Sequence, residues 1–380
     1  MCRTVPENVD RLWDVLIIGA GVAGAMAAHG AAKMGLSVVM IDKAAFPRGK
    51  ACGCCLNPAA VRLLDECGLD IRTLGARTVE YFHIACDGTT AKIPTPGGLA
   101  VSREVLDMAL IGHAEKAGAV FLPRTAAFST LALPAYRTVD VRQEDMTASL
   151  RAKIVLVADG LGGRMLRSDG ELEIASRSRV GIAGTLKNPT DYYRPGIIHM
   201  ACGKRGYAGL VIVEDGNLHI AAALDVHAAR DASGGSRAVA GIIREAGWPV
   251  PAGLDSCRWH GAPALTRRRK KLFDHRLFVL GDAAGYVEPF SGEGMAWALA
   301  GAHDVLPIID RAVQFWRADL GPQWQAHHRQ LIGSRQRACR VVTRLLRNQG
   351  LTRVAVEAMK LSPALAAPLV RHINRPFAAV

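Results

Sequence analysis

Short, wholly apolar runs alternate with helical spacings through much of this chain, the pattern of parallel strands buried on both faces with helices between them. Val15-Leu16-Ile17-Ile18 is the first run, and an alanine-rich segment with helix-forming composition follows from Ala23 to Lys33. A turn at Gly35 leads to a second run, Val38-Val39-Met40-Ile41, which ends on Asp42. Ala119 to Leu122, Ile154 to Val157 and Leu277 to Leu280 read as three more strands of the same kind. Helices are predicted from Ala59 to Glu66 and after Val101-Ser102-Arg103, where Val105, Leu106, Ala109, Leu110 and Ala114 keep helical spacing. Residues 126–150 alternate irregularly and read as hairpin strands.

From Arg177 to Leu265 the rhythm changes to short strands with glycine turns. Gly206 to Ile212 and Leu218 to Leu224 are joined by Asp215-Gly216-Asn217, a hairpin signal. With residues 76–97, this stretch is expected to form a β-sheet domain inserted into the α/β fold. The expected division is 1–75, 98–176 and 266–330 for the α/β domain, 76–97 and 177–265 for the insert, and 331–380 for a helical C-terminal region. In that tail Leu331, Ala338, Val341, Val342, Leu345 and Leu346 share one face, with Arg335, Arg337, Arg340, Arg344 and Arg347 around the other. Such a helix either packs on the protein or lies on an anionic membrane surface. The basic run Thr266-Arg267-Arg268-Arg269-Lys270-Lys271 directly precedes a core strand and reads as a solvated connector.

At 380 residues the chain is long enough for two or three domains. No apolar run approaches the roughly 18 residues of a membrane span, and the polar residues before Trp13 give no expectation of a secretory leader. Nine cysteines without framework spacing suit the reducing cytosol, with attachment at a membrane periphery as the alternative. The net charge of +13 favours anionic partners. No aromatic-rich binding motif accompanies it, so nucleic acid is not expected.

The chemistry is carried first by Gly19-Ala20-Gly21-Val22-Ala23-Gly24, a G-x-G-x-x-G between strand and helix. Gly19 permits the tight turn, Gly21 lets a pyrophosphate approach the backbone, and Gly24 lets the helix pack closely on the sheet. The helix N-terminus then offers free N–H groups to phosphate. Asp42, about 20 residues on, is placed to accept hydrogen bonds from a ribose and would repel a 2′-phosphate, so FAD or NAD is expected rather than NADP. Arg48 and Lys50 follow where cations meet a diphosphate, and Gly53 would let backbone approach a flat ring. Cys52 and Cys55 form a single C-x-x-C. A structural zinc site needs four ligands and no second pair lies nearby, so packing beside the cofactor is expected rather than metal, with a redox pair as the alternative.

The order of G-x-G-x-x-G, an acid-ended strand and Phe46-Pro47-Arg48-Gly49-Lys50-Ala51-Cys52-Gly53-Cys54-Cys55-Leu56 resembles the geranylgeranyl reductase family of flavoproteins, within the larger group built like p-hydroxybenzoate hydroxylase. The resemblance covers about residues 12–305 and implies a Rossmann-like FAD-binding domain. It places Arg103 at the FAD, backbone near Ala126 or Ala127 at the adenine, and Asp159 in a second FAD fingerprint. There Gly163 stands where serine is usual, followed by Arg164 and Arg167, a departure that puts direct NADPH reduction in question. Gly281-Asp282-Ala283-Ala284-Gly285-Tyr286 and Glu288-Pro289-Phe290-Ser291-Gly292-Glu293-Gly294-Met295 match the family's later motif. Asp282 would reach ribityl hydroxyls, and a helix starting at Gly292 to Met295 would point N–H groups at the flavin pyrimidine. Tyr207 keeps one residue of the family's substrate signature.

The expected cofactor-binding set is therefore Gly19, Gly21, Ala23, Gly24, Asp42, Lys43, Arg48, Cys52, Gly53, Arg103, Ala127, Asp159, Gly281, Asp282, Pro289, Gly292, Gly294 and Met295. Cys52 is the side chain nominated for proton transfer or contact. The resemblance implies reduction of a carbon–carbon double bond in an apolar, isoprenoid- or polyketide-like substrate. Hydroxylation of an aromatic ring and halogenation are the alternatives. Electrons would come from NAD(P)H, or from reduced flavin or ferredoxin on a donor protein.

Overall fold

The computed structural model describes residues 9–166, 170–187, 190–230, 234–288, 290 and 292–377. Five parallel strands form the core of an eight-stranded central sheet in the order 120–122, 38–41, 12–18, 146–157, 277–279. Val15, Leu16, Ile17, Val38, Val39 and Met40 are fully buried, because layers cover both faces. The hairpin region and the buried run at Ile154 are one element: Met146–Val157 pairs antiparallel with Arg137–Gln143 at its start and parallel with Leu12–Ile18 further along.

Helix α1 (Val22–Lys33) is buried along almost its whole length. A helix that is apolar all round is buried all round, and its alanines let the sheet and two further helices approach closely. After α2 (Pro58–Glu66), those two are α3 (Arg103–Lys116) and α4 (Gly294–Asp304). Asn57 caps α2 and Ser102 caps α3 through side-chain oxygens, so both helices start where the sequence supplies an N-cap acceptor.

The inserted sheet has seven strands in the order 260–264, 180–186, 218–224, 206–212, 197–203, 81–86, 89–94. Side chains alternate across it. Ala208, Leu210 and Ile212 pack under the helix Gly234–Glu245, which the strand-rich pattern of this region did not predict. Residues of the opposite face, such as Ile84, Met200 and Tyr207, meet the C-terminal helices.

Those helices are α5 (Leu320–Leu345), α6 (Gln349–Leu361) and α7 (Ala367–Asn374). Their faces differ from the expected division. Arg335 is buried at 5% exposure, whereas Val341 and Leu345 are exposed. Arg335 goes inward because it has partners there: Glu293 Oε1 at 3.5 Å, the Ile373 carbonyl at 2.7 Å and the Arg375 carbonyl. The basic run at 266–271 also departs from a solvated connector. Arg267–Arg269 is a strand, so Arg267 and Arg269 point inward, donating to the carbonyls of Leu161 and Leu166, while Arg268 points out. None of the helices described is long and apolar enough to cross a membrane.

Candidate active site

The glycine turn does what its spacing requires. Gly19 has φ +107°, and a Cβ there would lie 2.4 Å from the Ala158 carbonyl oxygen; at Gly24 it would lie 1.8 Å from the Gly19 carbonyl oxygen. Around Gly21 three cations converge: a Cβ there would stand 3.7 Å from Arg103 Nη2, 3.8 Å from Arg48 Nη2 and 4.0 Å from Lys50 Nζ. Asp42 lies beside this cluster, accepting from the N–H groups of Ala20 (2.9 Å) and Ala44 (2.8 Å), with Arg48 Nη2 at 3.7 Å. Arg103 is buried and held by Asp107 through bonds of 2.7 to 3.0 Å. Burial works against its charge, but Asp107 and Cys52 keep its pKa above the ordinary value. Burial and Arg103 together push the Lys50 ammonium below its usual range.

The distant motif closes onto the same place. Lys50 Nζ is 3.9 Å from Asp282. Gly281 has φ +57°, and a Cβ there would meet the Ala23 Cβ at 2.8 Å, so two halves of the chain touch through their smallest residues. Gly292, at φ +72°, faces Cys55; Gly294 lies under the Tyr286 ring and opens α4, with Met295 buried behind it. Three cations and an acid at one end, and a helix N-terminus with glycine backbone at the other, suit an extended dinucleotide. Lys43 is exposed, its charge acting on Asp159. Ala127 lies in the strand Thr125–Ala132, whose first N–H donates to the Asp42 carbonyl at 2.8 Å. Pro289 and Arg167 lie outside the described residues.

Asp159 explains the departure at Gly163. Its carboxylate folds back to the Met165 N–H at 3.2 Å, and a Cβ on residue 163 would lie 2.2 Å from its carboxyl carbon. Glycine is what that loop conformation admits. Burial raises the Asp159 pKa.

Beyond Gly53, which no atom crowds, a cavity of about 420 Å³ opens. Cys52, Gly53, Tyr286 and Gly292 line one end, the inserted sheet forms a wall, and α5, α6 and α7 form the roof. Among the described residues lining it there is no Lys, Arg or His, and the sole carboxylate is Glu293. That carboxylate is fully buried against Arg335 and Cys339. The Cys52 thiol is raised well above its usual pKa by its contact with Cys54 and by burial. Burial likewise pushes the Cys55 thiol up to about 12. Both thiols therefore keep their protons at neutral pH.

Sequence reasoning missed several residues that shape this site. His219 Nε2 donates to the Cys52 carbonyl at 2.8 Å, with Thr185 Oγ1 3.1 Å from Nδ1, so the inserted sheet grips the cysteine loop. Glu214 accepts from the Ser102 N–H (2.7 Å) and hydroxyl (2.5 Å) at the start of α3. Arg179 and Glu288 form a buried pair at 3.0 Å behind Tyr207. Only Asp107 had a local signal, its i,i+4 spacing from Arg103.

The description "FAD binding domain" matches residues 13–314. The chain belongs to this FAD-binding family. Its relatives include the menaquinone reductase of Mycobacterium tuberculosis (strain H37Rv), 35% identical over 165 residues, covering 40% of this chain and 39% of the relative. The chain thus matches about two fifths of that relative's length. The digeranylgeranylglycerophospholipid reductase of Methanoculleus marisnigri is 28% identical over 311 residues, 76% of this chain and 74% of the relative. The fold is shared with p-nitrophenol 4-monooxygenase PnpA of Pseudomonas putida: TM-score 0.80, 15% identity, 96% of this chain and 98% of that one. This FAD-binding protein carries an inserted β-sheet and a helical C-terminal region, and the two relatives it is similar to are reductases by name.

Proposed function

We propose that this oxidoreductase reduces a carbon–carbon double bond of an apolar, isoprenoid- or polyketide-like substrate held in the cavity beyond Gly53. The observation that carries the reading is the lining. Activating a phenol for hydroxylation calls for a base or cation beside the ring, and a substrate here meets mainly aliphatic and aromatic side chains, the one carboxylate among the described lining residues, Glu293, being held by Arg335. Nor is a lysine, part of the halogenase signature, among the described residues of that lining.

In this reading Gly19, Gly21, Ala23 and Gly24 cradle the pyrophosphate, with Arg48, Lys50 and Arg103 neutralising it. Asp42 takes the ribose with Lys43 at its edge, and backbone at Ala127 meets the adenine. Asp159, Gly281 and Asp282 border the ribityl chain. Gly53, Gly292, Gly294 and Met295 bring backbone to the ring, where α4 stabilises negative charge. When bound, the flavin supplies hydride chemistry. Cys52, which lines the cavity next to Gly53 and keeps its thiol proton, would give the proton that the second carbon requires. Electrons arrive from NAD(P)H or from a reduced flavin or ferredoxin partner.

Anaerobic mixing of the reduced enzyme with candidate alkenes tests the proposal. Reoxidation by an isoprenoid or polyketide alkene is expected, and Cys52→Ala should slow it by about 10²-fold, the lower range for a lost general acid, while flavin absorbance is retained. Failure of every alkene, with oxygen-dependent NAD(P)H consumption on an aromatic substrate instead, would assign the enzyme to hydroxylation.

A further inference from the structure

Seven of the seventeen large apolar side chains exposed among the described residues fall between Val341 and Leu369, within the roof of the cavity. Four of them, Val341, Leu345, Leu365 and Leu369, also line the cavity, so its mouth opens on an apolar surface. Val354 and Leu361, at 64% and 84% exposure, extend that surface along α6 and touch no part of the cavity.

The charge next to this surface is predominantly positive: Glu357, exposed on α6 between Val354 and Leu361, is the one carboxylate that α5, α6 and α7 carry. On the outward arc of α5, Arg340, Arg344, Arg337, Val341 and Leu345 succeed one another within about 140°, counted at 100° per residue. Burial, and then the crowding of Arg268, Arg344 and Arg337, hold the Arg340 pKa below the usual range. None of these four arginines makes an ion pair with a described residue. Apolar side chains around an opening, flanked by unneutralised guanidinium groups on long apolar stems, match the two layers of a bilayer surface. A soluble acidic partner would satisfy the arginines but leave the outward leucines in water.

We propose that α5, α6 and α7 dock in the plane of a bilayer carrying anionic headgroups, with the cavity mouth facing the acyl layer. A lipid-soluble substrate then enters without crossing water. The inference rests on the reading of the cavity as a site for an apolar substrate.

Flotation of the FAD-loaded full chain with phosphatidylcholine vesicles, with and without phosphatidylglycerol, tests it. Flotation with the anionic vesicles is expected, weakening as salt screens the arginines. Arg337→Ala/Arg344→Ala should lower the partition about 25-fold, at about five-fold per arginine near the surface. Val354→Ser/Leu361→Ser should lower it at least ten-fold with flavin absorbance and Tm unchanged. No flotation with anionic vesicles overturns the proposal. So does binding that the arginine variants weaken and the Val354→Ser/Leu361→Ser variant leaves unchanged, the behaviour of an acidic protein's site. Flotation reads no turnover: an enzyme that reduces a soluble alkene but does not float disproves docking alone, and one that floats but reduces none disproves the reductase reading alone.

Discussion

Replacing Arg335 by methionine is the sharpest test of how the helical roof is fastened. The guanidinium lies 3.5 Å from Glu293 Oε1 and donates to the carbonyls of Ile373 and Arg375, joining the flavin-side motif to the end of α7. Arg335 and Glu293 are 5% and 0% exposed. Removing one member of such a pair leaves the other charge buried without its cation, which costs about 3 to 5 kcal/mol. An unfolding entropy of about 2.1 cal/mol/K per residue gives roughly 0.8 kcal/mol/K for this chain if it unfolds as one unit. The expected fall in Tm is then about 4 to 6 °C, read by calorimetry on the FAD-loaded protein. Glu293→Gln/Arg335→Met removes both charges and should recover part of the loss. A single variant that melts within about 1 °C of the parent, or a double variant no better than the single, would refute the pair as the fastening.

Three further outcomes are expected. Gly163→Ser, which restores the residue usual in the resembling family, should destabilise by about 1 to 3 kcal/mol through overpacking against Asp159, seen as a lower denaturant midpoint. Asp42→Ala removes the acceptor for two backbone N–H groups and the expected ribose contact; at about 1.5 to 3 kcal/mol per charged hydrogen bond, FAD should dissociate at least ten-fold more readily in a fluorescence titration. His199 and His328 are held down to about 4 by burial. The unfolded chain therefore binds more protons between pH 4 and 6.5, and stability falls as pH drops through that window. At pH 5 the loss is about 2 kcal/mol per histidine, and a Tm that stays level from pH 7 to 5 would contradict it.

Much of the nucleotide half was legible because its requirements are local. Gly19 and Gly24 answer to a positive φ or a close backbone approach within one strand, turn and helix, and Val15 to Ile18 shows burial on both faces by being apolar at every position. The Gly163 departure was visible as a letter; its cause, the backward-folded Asp159, was not. The helix 234–245 escaped because its neighbours are strands and their rhythm masked its spacing. The C-terminal helices were legible as helices, but their inward and outward faces were not.

By itself the sequence determined the strand, glycine turn and helix that open the chain, the acid at the end of the second strand, and the succession of two sheets, since each depends on neighbours a few residues apart. Only the tertiary structure decided which charges are interior. Arg267, Arg269 and Arg335 look like solvent-facing bases in a basic chain, yet carbonyls and carboxylates from distant segments draw them in. Lys50 meets Asp282, and Glu293 meets Arg335, across separations that no periodicity encodes. Burying a charge is favourable only where its partner also arrives, and that arrival is a property of the folded chain.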